Sequence, residues 1–488
     1  MPERGLFARI RTPAAAAGLA GVVVLSQSGA ALAAGSGDWP QYLHGPRHNS
    51  MSPAAAFTPS NAASASQAWH WQPPVISGEP TPLLDASPTV AGGRVYIGAQ
   101  SGMFYALDEA TGAQVWSRQL DTEQAVDCTG PGTRLGITST AAVLPDPVTG
   151  TSTVYVSGAR YLYALDAATG TVAWQTEIGP PTDPSEPNAY YNWSSPTVVG
   201  GHIYVGLSSG CDKPLIRGGV VELDQHTGQV LHTWYTVPAG SIGGSVWSSV
   251  AASSNGGNLW VTTGNECSAP LETCPAGNQV GHSLSIVHLS SSLSLRQAWQ
   301  VPATVGHNFD FGSSPTLFGS STSLEVGACN KNGIYYALAA NPLGSSPLWA
   351  DTIGARQSST GTCLASAVWN GRAGALYIAG DGTTIGGTSY SGSIRQVDPQ
   401  TGAYVWETGM PCAVTGTPTL DSAGVLAVGT FGGCATGSQP GAYLVDASTG
   451  AILMTLPVGS GRVFGQPVFA QKSLFVATET KGLYAFVP

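Results

Sequence analysis

A repeat that continues from end to end constrains the fold of this chain more than any other feature of its sequence. Each copy contains alternating apolar residues, Tyr-Ala-Leu-Asp or a variant of it, a Thr-Gly turn and a Trp, most clearly at 105–116 and 163–174. Apolar residues with period two predict strands, and the Gly supplies the positive φ that a tight turn needs. The Trp would start the next strand and bury its ring between neighbouring units. A repeat of roughly 40–60 residues built from four short strands predicts a β-propeller.

The repeated Trp predicts eight blades, with an apolar substitute in one of them. The positions are Trp69, Trp116, Trp174, Trp234, Trp299, Trp349 and Trp406, with Met454 as the substitute. The last copy stops early, so the strand around Trp69 is predicted to complete the last blade and close the ring, which would remove exposed sheet edges. The fold class is therefore all-β, with residues 35–488 forming one eight-bladed propeller. The alternative, two stacked sandwiches, does not account for a repeat that runs the whole length.

Charged residues are few, and the net charge is negative. They make up 9% of the 488 residues, against about 25% in an average globular chain, which excludes a long solvated coiled coil. The formal net charge is −10, and no run of Lys or Arg occurs. This charge argues against nucleic acid and anionic membrane surfaces as partners.

The first 34 residues are typical of a secretory signal peptide. Arg4, Arg9 and Arg11 precede an apolar stretch at 14–25, and the segment 31–33 is an Ala-Leu-Ala cleavage site. The apolar stretch is too short to span a bilayer. We therefore expect a protein secreted to the periplasm or the medium, with no membrane span after cleavage. An uncleaved membrane anchor is the alternative.

The eight cysteines are predicted to form disulfides, because export would place them in an oxidising compartment. Local spacing gives the predicted pairs: Cys267–Cys274, Cys329–Cys363, Cys412–Cys434 and, from the two that are left, Cys128–Cys211. Metal binding by thiolates is the alternative, but the sequence contains no C-x-x-C pair. It therefore also lacks the C-x-x-C-H motif of a c-type haem site.

The repeat, with its Asp, Thr-Gly and Trp, resembles the blade of quinoprotein alcohol dehydrogenases, which bind pyrroloquinoline quinone (PQQ). The likeness runs from about Asp38 to the chain end and is strongest between Cys128 and Leu338. The segments DWPQYLHGPRHNS and FDFGSSPTLF are most similar to the polyvinyl alcohol dehydrogenase branch. Propellers that serve as scaffolds share the blade repeat, so the repeat alone does not predict an activity.

The resemblance implies a metal site made of an acidic residue, an Asn and an Asp. The matching positions are Asp212 after Ser-Ser-Gly-Cys, Asn265 after a Gly, and Asp310 in Phe-Asp-Phe-Gly. Hard oxygen ligands of this kind suit Ca²⁺. Family members that use a lanthanide carry a second Asp two residues after the catalytic one, where this chain has Gly312. Asp212 departs from the family in replacing a longer Glu.

The resemblance also implies contacts to PQQ, a planar tricarboxylate. The matching positions are Asp85, Arg134, Ser194, Ser209, Trp247 and Lys331. In this interpretation Arg134 would bind a carboxylate, to which its planar guanidinium is suited. Trp247 would stack under the quinone, and Lys331 would lie against its reactive carbonyl.

These matches predict a PQQ- and Ca²⁺-dependent dehydrogenase that oxidises a primary or secondary alcohol, possibly a polymeric one. Asp310 would be the general base and Lys331 would stabilise the developing oxyanion. Electrons would pass to an external acceptor such as a cytochrome c. One alternative is a non-catalytic propeller that serves as a binding or assembly scaffold. Another is a module that binds polysaccharide through exposed aromatic rings.

Overall fold

The repeat folds into eight antiparallel blades around a central channel. The computed structural model describes Met1 and residues 37–75, 82–124, 134–179, 190–268, 273–302, 308–320, 322–355 and 363–488, with only the backbone of residues 123, 124 and 134. Seven sheets have four strands, and the sheet of blade 7 is extended by a fifth. Strands are named A to D from the channel outwards. The predicted all-β propeller with eight blades is confirmed.

The strands A to D of the first four blades have the following bounds. They are Thr89–Ala91, Arg94–Gly98, Met103–Asp108 and Gln114–Gln119 in blade 1; Ala142–Pro145, Ser152–Gly158, Tyr161–Asp166 and Val172–Glu177 in blade 2; Thr197–Val199, His202–Leu207, Gly219–Asp224 and Val230–Tyr235 in blade 3; and Ala251–Ala252, Asn258–Thr262, Ser285–Ser290 and Leu295–Gln300 in blade 4.

The other four blades repeat this pattern. Their strands are Thr316–Gly319, Leu324–Cys329, Ile334–Ala339 and Trp349–Thr352 in blade 5; Val368–Asn370, Ala375–Ile385, Thr388–Val397 and Tyr404–Met410 in blade 6; Thr419–Asp421, Val425–Gly429, Ala442–Asp446 and Ile452–Leu456 in blade 7; and Val468–Ala470, Ser473–Thr478, Gly482–Val487 and Ser66–Trp71 in blade 8. Two short 3₁₀ helices, Tyr42–His44 and Ala62–Ser64, and a two-stranded sheet of Glu123–Gln124 with Arg134–Leu135 complete the described elements.

Blade 8 joins the two ends of the propeller. Its outer strand Ser66–Trp71 pairs antiparallel with the last strand of the chain, Gly482–Val487. The predicted closure by the strand around Trp69 is therefore confirmed. The outer strand of blade 8 comes from the N-terminal part of the chain, and its other three strands come from the C-terminal part. Their pairing in one sheet closes the ring.

The repeated Trp residues lock each blade to the next. The ring of Trp69 lies against the turn glycine Gly112 of blade 1, and Trp116 lies in the same way against Gly170 of blade 2. Trp116 Nε1 donates to the carbonyl of Ala167 at 3.1 Å. Both glycines have positive φ, and a Cβ at either would meet the Trp ring. The turn therefore needs Gly for its backbone conformation and for the space that the neighbouring Trp occupies.

Strand connectivity gives the propeller two different faces. The A–B and C–D connections lie at one end of the strands, here the lower face, and the B–C and D–A connections lie at the other, the upper face. Residues 37–52, which we name the sealing segment, run along the A strands near the lower face. Met51–Ser52 is the fifth strand of the blade 7 sheet and pairs parallel with Thr419–Asp421.

The sealing segment bonds to all eight blades in order. In seven blades the backbone N–H of one strand A residue donates to it, at 3.2 Å or less. These donors are Val90, Val143, Val198, Ala252, Leu317, Trp369 and Leu420, and their acceptors are the carbonyls of Trp39, Pro40, Pro46, Arg47, Asn49 and Ser50 and the side chain of Gln41. In blade 8, Gln471 donates through Nε2 to Asp38 Oδ1 at 2.9 Å.

The predicted signal peptide, residues 1–34, lies outside the described residues except for Met1, so it stays a prediction. Within the described ranges, no helix is long and apolar enough to cross a membrane.

Candidate active site

The upper face carries the residues that the sequence analysis selected. Asp212, Asn265 and Lys331 lie in the B–C connections of blades 3, 4 and 5, and Trp247 and Asp310 lie in the D–A connections that lead into blades 4 and 5. Ser209, Ser194 and Asp85 lie in connections of the same face. The side chain of Arg134 lies outside the described residues. Three successive blades thus present the polar side chains at one edge of the channel.

Asp310 is held between a cation and an indole. Its side chain is 1% exposed. Lys331 Nζ lies 2.7 Å from Asp310 Oδ1, and Trp247 Nε1 donates to Asp310 Oδ2 at 2.8 Å. Lys331 Nζ also lies 4.9 Å from the centre of the Trp247 ring, within range of a cation–π interaction. The three predicted residues therefore form one contact group around a buried carboxylate.

Asp212 and Asn265 form a second group beside the first. Asn265 Nδ2 donates to Asp212 Oδ2 at 3.0 Å, and Ser245 Oγ donates to Asp212 Oδ1 at 2.9 Å. Asn265 Nδ2 also lies 3.3 Å from Asn308 Oδ1, two residues before Asp310. The amide nitrogen of Asn265 thus faces protein acceptors, which leaves its oxygen turned elsewhere.

The electrostatics of the two groups are coupled. Burial and then the neighbouring carboxylate of Asp310 raise the pKa of Asp212, while hydrogen bonds from Asn265 and Ser245 and the charge of Lys331 act in the opposite direction. The carboxylates of Asp212 and Asp310 therefore both interact with the single ammonium group of Lys331. A bound cation would favour the ionised form of both.

The loop that carries Asp212 has an unusual backbone. Cys211 and Asp212 have φ values of 57° and 54°, both in the left-handed region. For two successive residues other than Gly this costs about 1–2 kcal/mol each, so surrounding contacts must hold the loop. One of them is a disulfide, because Cys211 is disulfide-bonded. Its predicted partner, Cys128, lies outside the described residues.

The other three predicted disulfides are confirmed. They are Cys267–Cys274, Cys329–Cys363 and Cys412–Cys434. All three lie in or at the ends of B–C and D–A connections. The crosslinks therefore brace the loops of the upper face, where the candidate site lies.

A cavity runs along the channel and is lined by residues of all eight blades. Its empty volume is about 650 Å³, part of it open solvent. Asp85 and Trp247 line it on the upper side, and Tyr42 of the sealing segment lines it as well. Burial raises the pKa of Tyr42, although hydrogen bonding with Ser314, Thr417 and Ser366 acts in the opposite direction.

Sequence reasoning missed two aromatic residues in this cavity, Trp193 and Phe464. A signal for Trp193 was present, because Trp-Ser-Ser occurs twice, at 193–195 and 247–249, before strand A of two successive blades. Phe464 lies across the channel in the connection that leads into blade 8. No repeated motif marks it.

Comparisons with known proteins agree with this architecture. Residues 39–266 match the family described as glucose/ethanol/alcohol dehydrogenase β-propeller domain (PQQ), and residues 390–487 match the outer membrane protein assembly factor BamB family. The quinohemoprotein alcohol dehydrogenase ADH IIB of Pseudomonas putida is 27% identical over 339 residues, which cover 62% of this chain and 46% of that protein. The polyvinylalcohol dehydrogenase of Sphingopyxis sp. (strain 113P3) is 30% identical over 163 residues, covering 30% of this chain and 22% of that one.

A solved structure extends the likeness over the fold. A europium-containing methanol dehydrogenase superposes with a TM-score of 0.70 at 17% identity, covering 93% of this chain and 98% of its own. The chain is thus similar in sequence and in fold to PQQ-dependent alcohol dehydrogenase-like propellers. It spans less than half the length of the curated family members that it matches.

Three buried polar atoms on the upper face indicate where a ligand would fit. Asn265 Oδ1, Ser194 Oγ and Ser209 Oγ have no hydrogen-bond partner among the described residues. All three residues are at most 6% exposed. The hydroxyl of Ser195, by contrast, accepts from the backbone N–H of Thr140, which leads into the preceding blade, at 2.9 Å. Other buried atoms without partners occur elsewhere in the described chain, but these three belong to residues that the resemblance assigns to cofactor or metal.

The candidate site would have to bind a hard cation through two carboxylates and an amide oxygen together. In the described part of the chain, no three His, Cys, Asp or Glu side chains are placed to hold a metal. A cation at this site would therefore rely on the carboxylates of Asp212 and Asp310 with the amide oxygen of Asn265. Oxygen ligands of these types are the ones that Ca²⁺ prefers. These oxygens are compatible with a hard cation, and the partnerless hydroxyls of Ser194 and Ser209 are compatible with a polar ligand beside it.

Proposed function

We propose that this chain is an exported PQQ- and Ca²⁺-dependent alcohol dehydrogenase. The observation that carries the proposal is the buried Asp310 carboxylate, held between Lys331 and Trp247 and adjacent to Asp212 and Asn265. Catalysis of alcohol oxidation needs a base for the hydroxyl proton, and a carboxylate fixed on both sides is suited to that role.

Each residue of the site has a separate task in this proposal. Asp212, Asn265 and Asp310 would hold Ca²⁺, and Trp247 would stack against the ring system. When bound, PQQ supplies the quinone that takes up hydride from the alcohol carbon, and Ca²⁺ supplies the Lewis acid that polarises the quinone carbonyl. Asp310 would accept the hydroxyl proton, and the ammonium of Lys331 would stabilise negative charge that develops on an adjacent oxygen.

The cofactor would also need groups at its edges. Ser194 and Ser209 have buried hydroxyls without partners among the described residues, and they would donate to its carboxylates or carbonyls. Asp85, with a pKa raised to about 7 chiefly by burial, would offer a protonated carboxyl near neutral pH. Arg134 is proposed to bind a cofactor carboxylate, as the family resemblance implies. An external acceptor such as a cytochrome c would take the electrons, since the sequence has no C-x-x-C-H motif.

Calorimetry with PQQ tests this proposal directly. We expect PQQ to bind the mature protein with saturating Ca²⁺ and to bind far more weakly after chelation of the metal. Dye reduction with a series of primary, secondary and polymeric alcohols would then identify the substrate class. If no PQQ binds at saturating Ca²⁺, the enzyme proposal is wrong.

A second candidate function is a non-catalytic assembly scaffold. The match of residues 390–487 to the BamB family supports it, because those residues form most of the last three blades. Blades 3 to 5, which carry the polar groups described above, lie outside that match. A protein that binds no PQQ would leave this function as the better proposal.

A further inference from the structure

Two successive blades begin with the same Trp-Ser-Ser sequence, and both Trp side chains line the channel cavity. Trp247 donates its indole N–H to Asp310 in the next connection of the upper face. Trp193 donates instead to the backbone carbonyl of Ser209 within its own blade, at 3.2 Å. The two rings therefore occupy equivalent places in the repeat but hold different loops.

The loop that Trp193 holds is the one that ends in Asp212. Tyr191 donates its backbone N–H to the carbonyl of Ser208 at 2.8 Å, and Ser208 Oγ donates to the carbonyl of Tyr191 at 2.6 Å. The rings of Trp193 and Tyr191 pack edge to face, with their centroids 5.1 Å apart. The connection that leads into strand A is thus hydrogen-bonded to the start of the B–C loop at two consecutive residues, Ser208 and Ser209.

These hydrogen bonds lie just before the strained part of the loop. Cys211 and Asp212 both have positive φ, a conformation that persists only where surrounding contacts impose it. Beyond the strained residues, Asp212 is bonded to Ser245 and Asn265. Among the described residues, the bond from Trp193 to Ser209 is therefore the last hydrogen bond before Cys211 and Asp212 that comes from a side chain lining the cavity.

We infer that Trp193 is a positioning residue, which fixes the loop 208–212 and thereby the places of the Asp212 carboxylate and the Ser209 hydroxyl in the candidate site. The inference rests on the proposed function for what those two groups bind. Its structural part, that the indole N–H orders the loop, does not depend on the cofactor. Trp193 itself need not touch the reacting atoms.

Trp193→Phe tests the inference, because it keeps an aromatic ring and removes the N–H. In protein without PQQ, hydrogen exchange measured by mass spectrometry should become faster in peptides that cover 208–213. Lys213 N–H, which donates to the carbonyl of Gly210 at 3.1 Å, is the reporter within the loop. Loss of one hydrogen bond predicts an increase of up to about tenfold. The Ca²⁺ concentration that half-saturates PQQ binding should rise by a similar factor, with the stoichiometry unchanged.

Trp116→Phe is the matched control. Trp116 also donates its N–H to a backbone carbonyl, that of Ala167 at 3.1 Å, but in the lock between blades 1 and 2. We expect neither faster exchange in 208–213 nor a changed Ca²⁺ requirement. Trp193→Gln supplies a donor without the ring, so it should protect the loop better than Trp193→Phe.

The outcomes separate this inference from the proposed function. If Trp193→Phe exchanges at 208–213 like the wild type, or no faster than Trp116→Phe, the inference is wrong. If wild-type protein binds no PQQ, the proposed function fails, but the exchange measurement still decides whether Trp193 orders the loop. Should Trp193→Phe fail to fold, Trp193→Leu, which also lacks the N–H, replaces it. Exchange at 208–213 that is faster in Trp193→Leu than in Trp193→Gln supports the inference, and equal exchange in the two variants contradicts it.

Discussion

At its lower end the channel is closed by hydrogen bonds between the sealing segment and the A strands, whereas at its upper end the same blades lead into the polar side chains of the candidate site, some of whose buried oxygens have no partner among the described residues. The lower contacts are regular: one strand A residue after another donates to residues 39–50. The upper contacts are irregular and include a buried ion pair and, at Ser194, Ser209 and Asn265, buried oxygens without partners among the described residues.

This difference separates what folds the protein from what it binds. A buried polar atom without a partner costs about 1–3 kcal/mol, so three of them at one end of the channel oppose folding unless a ligand supplies the missing bonds. The sealing segment also has two buried atoms without described partners, Trp39 Nε1 and Arg47 Nη2. Its backbone contacts, however, are made within the fold, and closure of the ring accounts for their arrangement. We therefore assign ligand binding to the upper end, and the predictions below test this division.

The largest expected effect is that of Asp310→Asn. The substitution keeps the shape and one ligand oxygen but removes the base, so PQQ-dependent dye reduction should fall by about 10²–10⁴-fold, the range that a general base contributes. PQQ binding measured by calorimetry should weaken only modestly. A variant that retains full activity would show that our assignment of the base is wrong.

Asp421→Asn is the matched control from the lower end. Asp421 is also buried, and its Oδ2 accepts from the backbone of Ala56 and Phe57. Its replacement should reduce stability, while dye reduction per folded molecule should stay unchanged. Equal losses of specific activity in the two variants would contradict the division between the two ends.

Trp39→Ala should have the largest effect on stability. Trp39 is fully buried in a cluster with Leu84, Val90 and Phe475, and its backbone bonds the sealing segment to blade 1. Removal of such a side chain costs about 3–5 kcal/mol, measured as the free energy of unfolding in urea. Trp71→Ala removes a Trp that is only partly buried against the same cluster. If Trp71→Ala lowers the free energy of unfolding as much as Trp39→Ala does, the sealing segment does not stabilise the fold more than other contacts of this cluster.

The sequence predicted the parts of this fold that local patterns encode. Thr-Gly turns and Trp locks recur with the repeat, so the blade count and the closure by the strand around Trp69 followed from spacing. The sealing segment was not predicted as a brace, because most of its bonds use backbone carbonyls, which leave no trace in residue type. Its sequence, DWPQYLHGPRHNS, gave only a family resemblance.

The site was predicted less completely, for a related reason. Asp212 and Asn265 are 53 residues apart, about one blade, so their contact follows from the repeat once the fold is known. The sequence does not tell which of two adjacent serines faces the site. Ser195 bonds to the neighbouring blade, and only Ser194 keeps a hydroxyl without a described partner. Such distinctions depend on side-chain direction, which the spacing of residues does not give.

Trp247→Ala should weaken cofactor binding at the upper end by about tenfold, because an aromatic stacking face is lost. Calorimetry with PQQ at saturating Ca²⁺ measures this change. Trp247→Phe keeps a stacking face but loses the N–H that reaches Asp310, so it should retain most of the affinity. If the two variants bind PQQ equally weakly, the indole N–H matters more than stacking, and the proposed floor of the site is wrong.

The smallest effect concerns pH and contrasts one carboxyl from each end. Burial, reinforced by the charge of Glu479, raises the pKa of Asp85 on the upper face to about 7, although Gln100 and Arg462 oppose the shift. On the lower face, burial acts on Asp446 in the same direction, but hydrogen bonds from Ser448 and Thr449 outweigh it and lower the pKa. The folded protein therefore favours the protonated form of Asp85 and the ionised form of Asp446.

These shifts give stability profiles of opposite sign. The folded-state pKa of Asp85 lies above its unfolded value, so ionisation of Asp85 destabilises the fold progressively as the pH rises from about 4 through 7. Asp85→Asn should therefore raise the free energy of unfolding of the cofactor-free protein at pH 8, on the order of 1 kcal/mol, and the gain should disappear towards pH 4. Asp446→Asn should instead lose stability at neutral pH, and the loss should shrink only below about pH 4, where the wild-type carboxyl becomes protonated. Urea unfolding of both variants from about pH 2 to pH 8 measures the two profiles. If both variants show the same sign at pH 8, the carboxyls at the two ends do not differ as the structure indicates.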